Sequence, residues 1–115
     1  MRELTGAGQV SAEGRDEDGW IEHLRRPDLS VGTYVIEEGG IDGQTPHTED
    51  EIYVITSGEA NLTGPDASIP VRPGSVVFVP ANEEHHFEEI KGTLAALVVF
   101  APAEYTRVPN HSPEP

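Results

Sequence analysis

Two glycine-bounded segments of this chain carry residues of the types that hold a divalent metal ion. The first runs from Gly39 to Gly58 and contains Thr45, His47 and Glu51; the second runs from Gly74 to His85 and contains Pro80. Two imidazoles and a carboxylate facing one point leave coordination positions open for water, oxygen or substrate. Side chains alternate along a strand, so His47, Glu49 and Glu51 are expected to share one face, with Tyr53 next. A row of ionisable groups inside a small barrel is costly unless something pairs it. A divalent metal would do so, and Glu49 is then a fourth ligand or an acceptor behind the others. His85 would bring the second imidazole from another strand. His86 would then face outward, and Phe87 would return to the face of His85.

The same residues allow a metal-free reading. His47 and His85 would be interior histidines held by hydrogen bonds, and Glu51 a buried general base with a raised pKa. Tyr34, Tyr53, Phe78 and Phe87 are expected to pack the interior. His23, His86 and His111 are expected at the surface. Glu83, Glu84, Glu88 and Glu89 form an acidic rim, which disfavours phosphorylated sugars or oxalate as substrates.

Short β-branched runs must position these groups. Candidate strands are 20–24, 30–37, 47–56, 59–63, 68–72, 76–79, 85–90 and 93–101. Turn signals separate them at Arg26-Pro27-Asp28, Glu38-Gly39-Gly40, Ser57-Gly58, Gly64-Pro65-Asp66, Arg72-Pro73-Gly74 and Lys91-Gly92. No segment has a helical period of useful length. Short strands at regular intervals predict an all-β sandwich or barrel. The expected organisation is a flexible arm over 1–19, one barrel over 20–108 and a Pro-rich tail over 109–115.

At 115 residues there is room for one core. The chain has no Cys, which excludes disulfides and zinc–thiolate sites. Its 21 acidic against 7 basic residues, a net charge of -14, disfavour nucleic acid and anionic membranes as partners. No apolar run has the length of a membrane span, and the N-terminus has no apolar signal region, so cytoplasmic residence is expected.

The spacing resembles that of the cupin family. The first cupin motif is Gly, five residues, His, one residue, His, three or four residues, Glu, six residues, Gly. Here Gly39 is followed by Thr45, Pro46, His47, Glu51 and Gly58 at those intervals. The second motif is Gly, five residues, Pro, one residue, Gly, two residues, His, three residues, Asn. Here Gly74, Pro80, Asn82, His85 and Glu89 stand at those places. Thr45 stands where the first metal-binding His is expected, Asn82 replaces a Gly, and Glu89 replaces the closing Asn.

The resemblance, over roughly residues 30–101, implies a double-stranded β-helix, a small jelly-roll barrel. It implies a divalent transition metal (Fe, Mn, Ni, Zn or Cu) at His47, Glu51 and His85. It implies a small-molecule ligand or substrate inside the barrel, and a homodimer for which the apolar run Leu94–Phe100 and the first strands could serve. An oxygenase, isomerase or decarboxylase would suit such a site, as would a non-catalytic binding or accessory module.

Overall fold

The computed structural model describes residues 1–107, so the expected tail and His111 lie outside the described residues. Six strands form: β1 (Trp20–Arg26), β2 (Leu29–Ile36), β3 (Asp50–Thr63), β4 (Ser68–Val71), β5 (Val76–Val79) and β6 (His86–Ala101). All pair antiparallel in the order β1-β2-β6-β3-β4, with β5 also on β3. The all-β expectation holds, and no helix among the described residues is long and apolar enough to cross a membrane.

Two long strands make the frame, and here the structure departs from the expected segmentation. β3 joins the expected strands 47–56 and 59–63, and β6 joins 85–90 and 93–101. Ser57-Gly58 and Lys91-Gly92 bend the strands without ending them. The β3–β6 ladder runs through with register shifts between Ile55 and Asn61. Such bulges bend a strand and increase its twist. Gly58 has φ 76°, and a Cβ there would lie 2.6 Å from the Thr93 carbonyl oxygen and 2.8 Å from Leu94 Cα. Only glycine permits that backbone and that approach.

Alternation along β3 sends Glu51, Tyr53 and Ile55 inward and leaves Ile52 and Val54 half-buried on the outer face. Tyr53 is paired with Val98 and Ile55 with Ala96, all of them core residues. Phe87 meets Tyr53 edge to face with centroids 4.9 Å apart. Each such large side chain contributes about 1.5–3 kcal/mol by leaving water. Phe78, expected in the packing, is instead 57% exposed, because its partner on the ladder is the outward Ile52. Of the run Leu94–Phe100, all but Leu97 and Val99 are buried inside the protomer.

The N-terminal segment, expected as a mobile arm, forms successive turns on the outer face. The Gly8 amide donates to Thr33 Oγ1 at 2.7 Å, and the Gly8 carbonyl accepts from Thr56. Ala12 is buried.

Candidate metal centre

The predicted row of three acidic and imidazole side chains on one strand does not form. β3 begins at Asp50, so His47 and Glu49 lie on the loop that enters it. The loop before β6 is fastened to this one. Asn82, with φ 67°, donates its amide to the His47 carbonyl at 2.7 Å, and the Ala81 amide donates to Asp50 Oδ1 at 2.9 Å. Asn tolerates the left-handed backbone that the motif's usual Gly would supply. These two bonds bring His85 to His47, with ring centroids 5.9 Å apart.

The donor atoms of His47, Glu51 and His85 lie within 4.8 Å of one another, and all three residues are buried. His85 Nε2 is 3.1 Å from Glu51 Oε1 and 3.1 Å from the Tyr53 hydroxyl. His85 Nδ1 donates to the Glu83 carbonyl at 2.8 Å. His47 Nε2 is 3.1 Å from Gln44 Oε1, which also accepts from the Tyr53 hydroxyl at 3.1 Å. His47 Nδ1 is 3.2 Å from Glu104 Oε2. His47 Nδ1 and Glu51 Oε1 nonetheless lack an aligned hydrogen bond.

The electrostatics divide the two rings. Burial lowers the pKa of His47, and the Glu51 carboxylate only partly opposes it. Burial also pushes His85 down, but the Glu51 carboxylate and the Glu83 carbonyl outweigh it, so its pKa is raised. Burial, with the charges of Glu22 and Glu51, lifts Glu104 to about 7. The close pair His47–Glu104 is therefore not a standing ion pair, because both groups are pushed toward their neutral forms. Burial and then Glu51 hold Tyr53 well above the usual phenol value, so it stays a neutral donor.

This donor set fits a divalent cation. Leaving a buried carboxylate oxygen without a partner costs about 1–3 kcal/mol or more. A cation among the two imidazoles and Glu51 would satisfy both orphaned atoms.

The structure brings together His47, Glu51 and His85 but not Glu49. Glu49 is buried, and its carboxylate accepts from the amides of Tyr105 at 2.6 Å and Arg107 at 2.8 Å. Thr45 is exposed and off the site. Its neighbour Gln44 points in instead, held by Asp42 through its side-chain amide at 2.8 Å. Asp42 also accepts from the Tyr34 hydroxyl and the Phe87 amide. Sequence reasoning missed Asp42, Gln44 and Glu104. The polar run Asp42-Gly43-Gln44 just before His47 was a usable signal for the first two. Glu104 had none. As expected, His85 and Phe87 are buried while the side chain of His86 is 41% exposed.

A cavity of about 70 Å³ lies against His47 and Glu51, lined also by Trp20, Tyr34, Val98 and Phe100. Gly32 makes room for Trp20, since a Cβ there would fall 2.1 Å from its ring. A larger cleft of about 490 Å³ adjoins it, sharing Tyr34 and Gln44 and opening past Asp16, Glu17 and Asp18.

Comparison with known proteins covers the same stretch of chain. A family profile described as Cupin domain matches residues 32–102. An uncharacterized protein of Streptomyces coelicolor is 41% identical over 97 residues, covering 84% of this chain and 92% of that one. A cupin 2 conserved barrel domain protein of Salinispora arenicola superposes with a TM-score of 0.67 at 20% identity, covering 79% of this chain and 83% of that one. A DMSP lyase of Ruegeria pomeroyi superposes with a TM-score of 0.62 at 25% identity, covering 66% of this chain. This chain spans only 39% of that lyase's length. The barrel is the double-stranded β-helix that the spacing implied, and the chain belongs to the cupin family.

Proposed function

We propose that this chain is a small metal-binding cupin in which His47, Glu51 and His85 hold one divalent transition-metal ion next to a site for a small organic molecule. The observation that carries this reading is the convergence of three buried donors within 4.8 Å. Iron, manganese, nickel, zinc and copper all suit such a set. When bound, the ion supplies Lewis-acid polarisation of a substrate oxygen. The chain's own residues do the rest. The Glu83 carbonyl fixes the His85 ring, and Gln44 and Tyr53 line the approach to both imidazoles. Val98, Phe100 and Trp20 form the apolar side of the inner cavity. The adjoining cleft has the volume of a small-molecule site.

If the protein is an enzyme, oxygenation, isomerisation and decarboxylation suit this arrangement, and the likeness to a DMSP lyase adds lyase assays. A non-catalytic binding or accessory role is the second reading, favoured by the small inner cavity. In a metal-free barrel, Glu51 would act as the acid–base group.

The proposal includes a homodimer. The outer rung Phe78, Ile52, Val99 and Val31 crosses four strands and is apolar throughout. It offers a second copy a face of its own kind.

The test is the metal content of tag-free protein. We expect one ion per chain in the wild type and none in His47→Ala or His85→Ala. A wild-type chain that stays metal-free after soaking with several divalent ions would reject the reading.

A further inference from the structure

We propose that the substrate of this site is a small organic cation, an ammonium or onium compound carrying a hydroxyl, with its charged head in the cleft outside Tyr34 and Gln44 and its hydroxyl toward Glu51. This rests on the reading above that a small molecule binds beside His47, Glu51 and His85. The cleft of about 490 Å³ is lined by the carboxylates of Asp16, Glu17, Asp18 and Glu37 against the single guanidinium of Arg15. Among the described residues, no ion pair takes up any of these carboxylates. The turn that carries Asp16, Glu17 and Asp18 is fixed on β2. The Val35 amide donates to the Gly19 carbonyl at 3.0 Å. Gly19 has φ 88°, and a Cβ there would lie 2.1 Å from the Val35 carbonyl oxygen. Asp16 Oδ1 closes the turn by accepting from the amides of Asp18 at 2.9 Å and Trp20 at 3.0 Å. The backbone under these acids is therefore ordered before a ligand arrives, which lowers the cost of binding.

An observation independent of that charge places the other end of the ligand. Glu51 lines the inner cavity, is 2% exposed and keeps Oε1 without a hydrogen-bond partner. A buried carboxylate oxygen left so calls for a donor, which a hydroxyl supplies. Tyr34 and Gln44 line both the cleft and this cavity, so one molecule can span the two. At about 70 Å³ the cavity takes only the small end, and the body of the ligand stays in the cleft. Tyr34 stands at the junction, edge to face with Trp20 at 6.5 Å between centroids. Burial and then Asp42 hold its phenol neutral, and the charges of Asp18 and Asp16 act in the same sense. The field of those two acids thus reaches the junction, where a neutral aromatic ring also attracts a cation.

The test titrates the full chain, metal-free and zinc-loaded, by calorimetry at low salt. The probes are choline and its neutral isostere, in which a tert-butyl group replaces the trimethylammonium. We expect choline to bind at least about tenfold more tightly than the isostere, and the preference to shrink as salt rises. The double variant Glu17→Gln, Asp18→Asn changes two exposed side chains. It should lose most of the preference while binding the isostere as wild type does. The inference is overturned if the isostere binds as tightly as choline, if neither binds, or if the double variant keeps the full preference. Zinc uptake by the same protein decides the metal reading separately. A chain that takes up no divalent ion yet discriminates choline from its isostere overturns the metal reading alone. Zinc uptake without that discrimination overturns this inference alone.

Discussion

Glu51 is 2% exposed and keeps one oxygen without a hydrogen-bond partner, beside a His85 whose pKa is raised. In the metal-free protein, His85 thus holds its proton to a higher pH than an ordinary imidazole. A metal must displace that proton to use the ring. Competition is strongest below the raised pKa and fades as pH rises through it. His47, whose pKa is lowered, is already neutral and adds little to this. Zinc affinity should therefore increase from about pH 6 to about pH 8. Binding near neutral pH should release a proton, measurable in buffers of different ionisation enthalpy. A flat affinity with no proton release would show that His85 is not a ligand. The three donors were legible from spacing because the motif spacing carries their positions. Glu49, Gln44 and Glu104 were not. What a buried carboxylate or amide does depends on which groups the fold sets beside it, and those come from distant parts of the chain.

β3 and β6 show what periodicity reads well and what it misses. Inward Glu51, Tyr53 and Ile55 follow from alternation, and the ladder bears this out. Ser57-Gly58 and Lys91-Gly92 read as turns because glycine punctuates turns and bends alike. Only the opposing strand distinguishes them. Gly92 lies close to Gly58, so the paired strands bend together and the ladder survives. Gly58→Ala places a side chain at φ 76° against the Thr93 and Leu94 backbone. The positive φ alone costs about 1–3 kcal/mol, and the overlap adds to it. Urea denaturation should show a loss of at least that size. A midpoint equal to wild type would mean the bend does not need glycine. His47 illustrates the reverse error: a residue read as strand stands on a loop, positioned by the amide of Asn82.

The assembled molecule carries a net charge of -14 and an outer face where Val76 and Phe78 are 65% and 57% exposed. Charge opposes association and the apolar rung favours it, so salt should tip the balance by screening. Light scattering should find twice the mass of one chain for wild type, more completely at higher salt, and one chain for Phe78→Asp. A wild-type monomer at all salt concentrations would remove this face as a dimer contact. From the order of residues alone came the all-β class, the family, the three candidate ligands and the exposed place of His86. These are local or periodic properties, and spacing along the chain encodes them directly. The folded arrangement decided that Thr45 stands outside the site and Gln44 inside it. It turned Glu49 from ligand to clamp, set Glu104 against His47, and laid the N-terminal segment over Thr33. Each of these depends on contacts between residues far apart in sequence, and chain closure, not local pattern, brings such residues together.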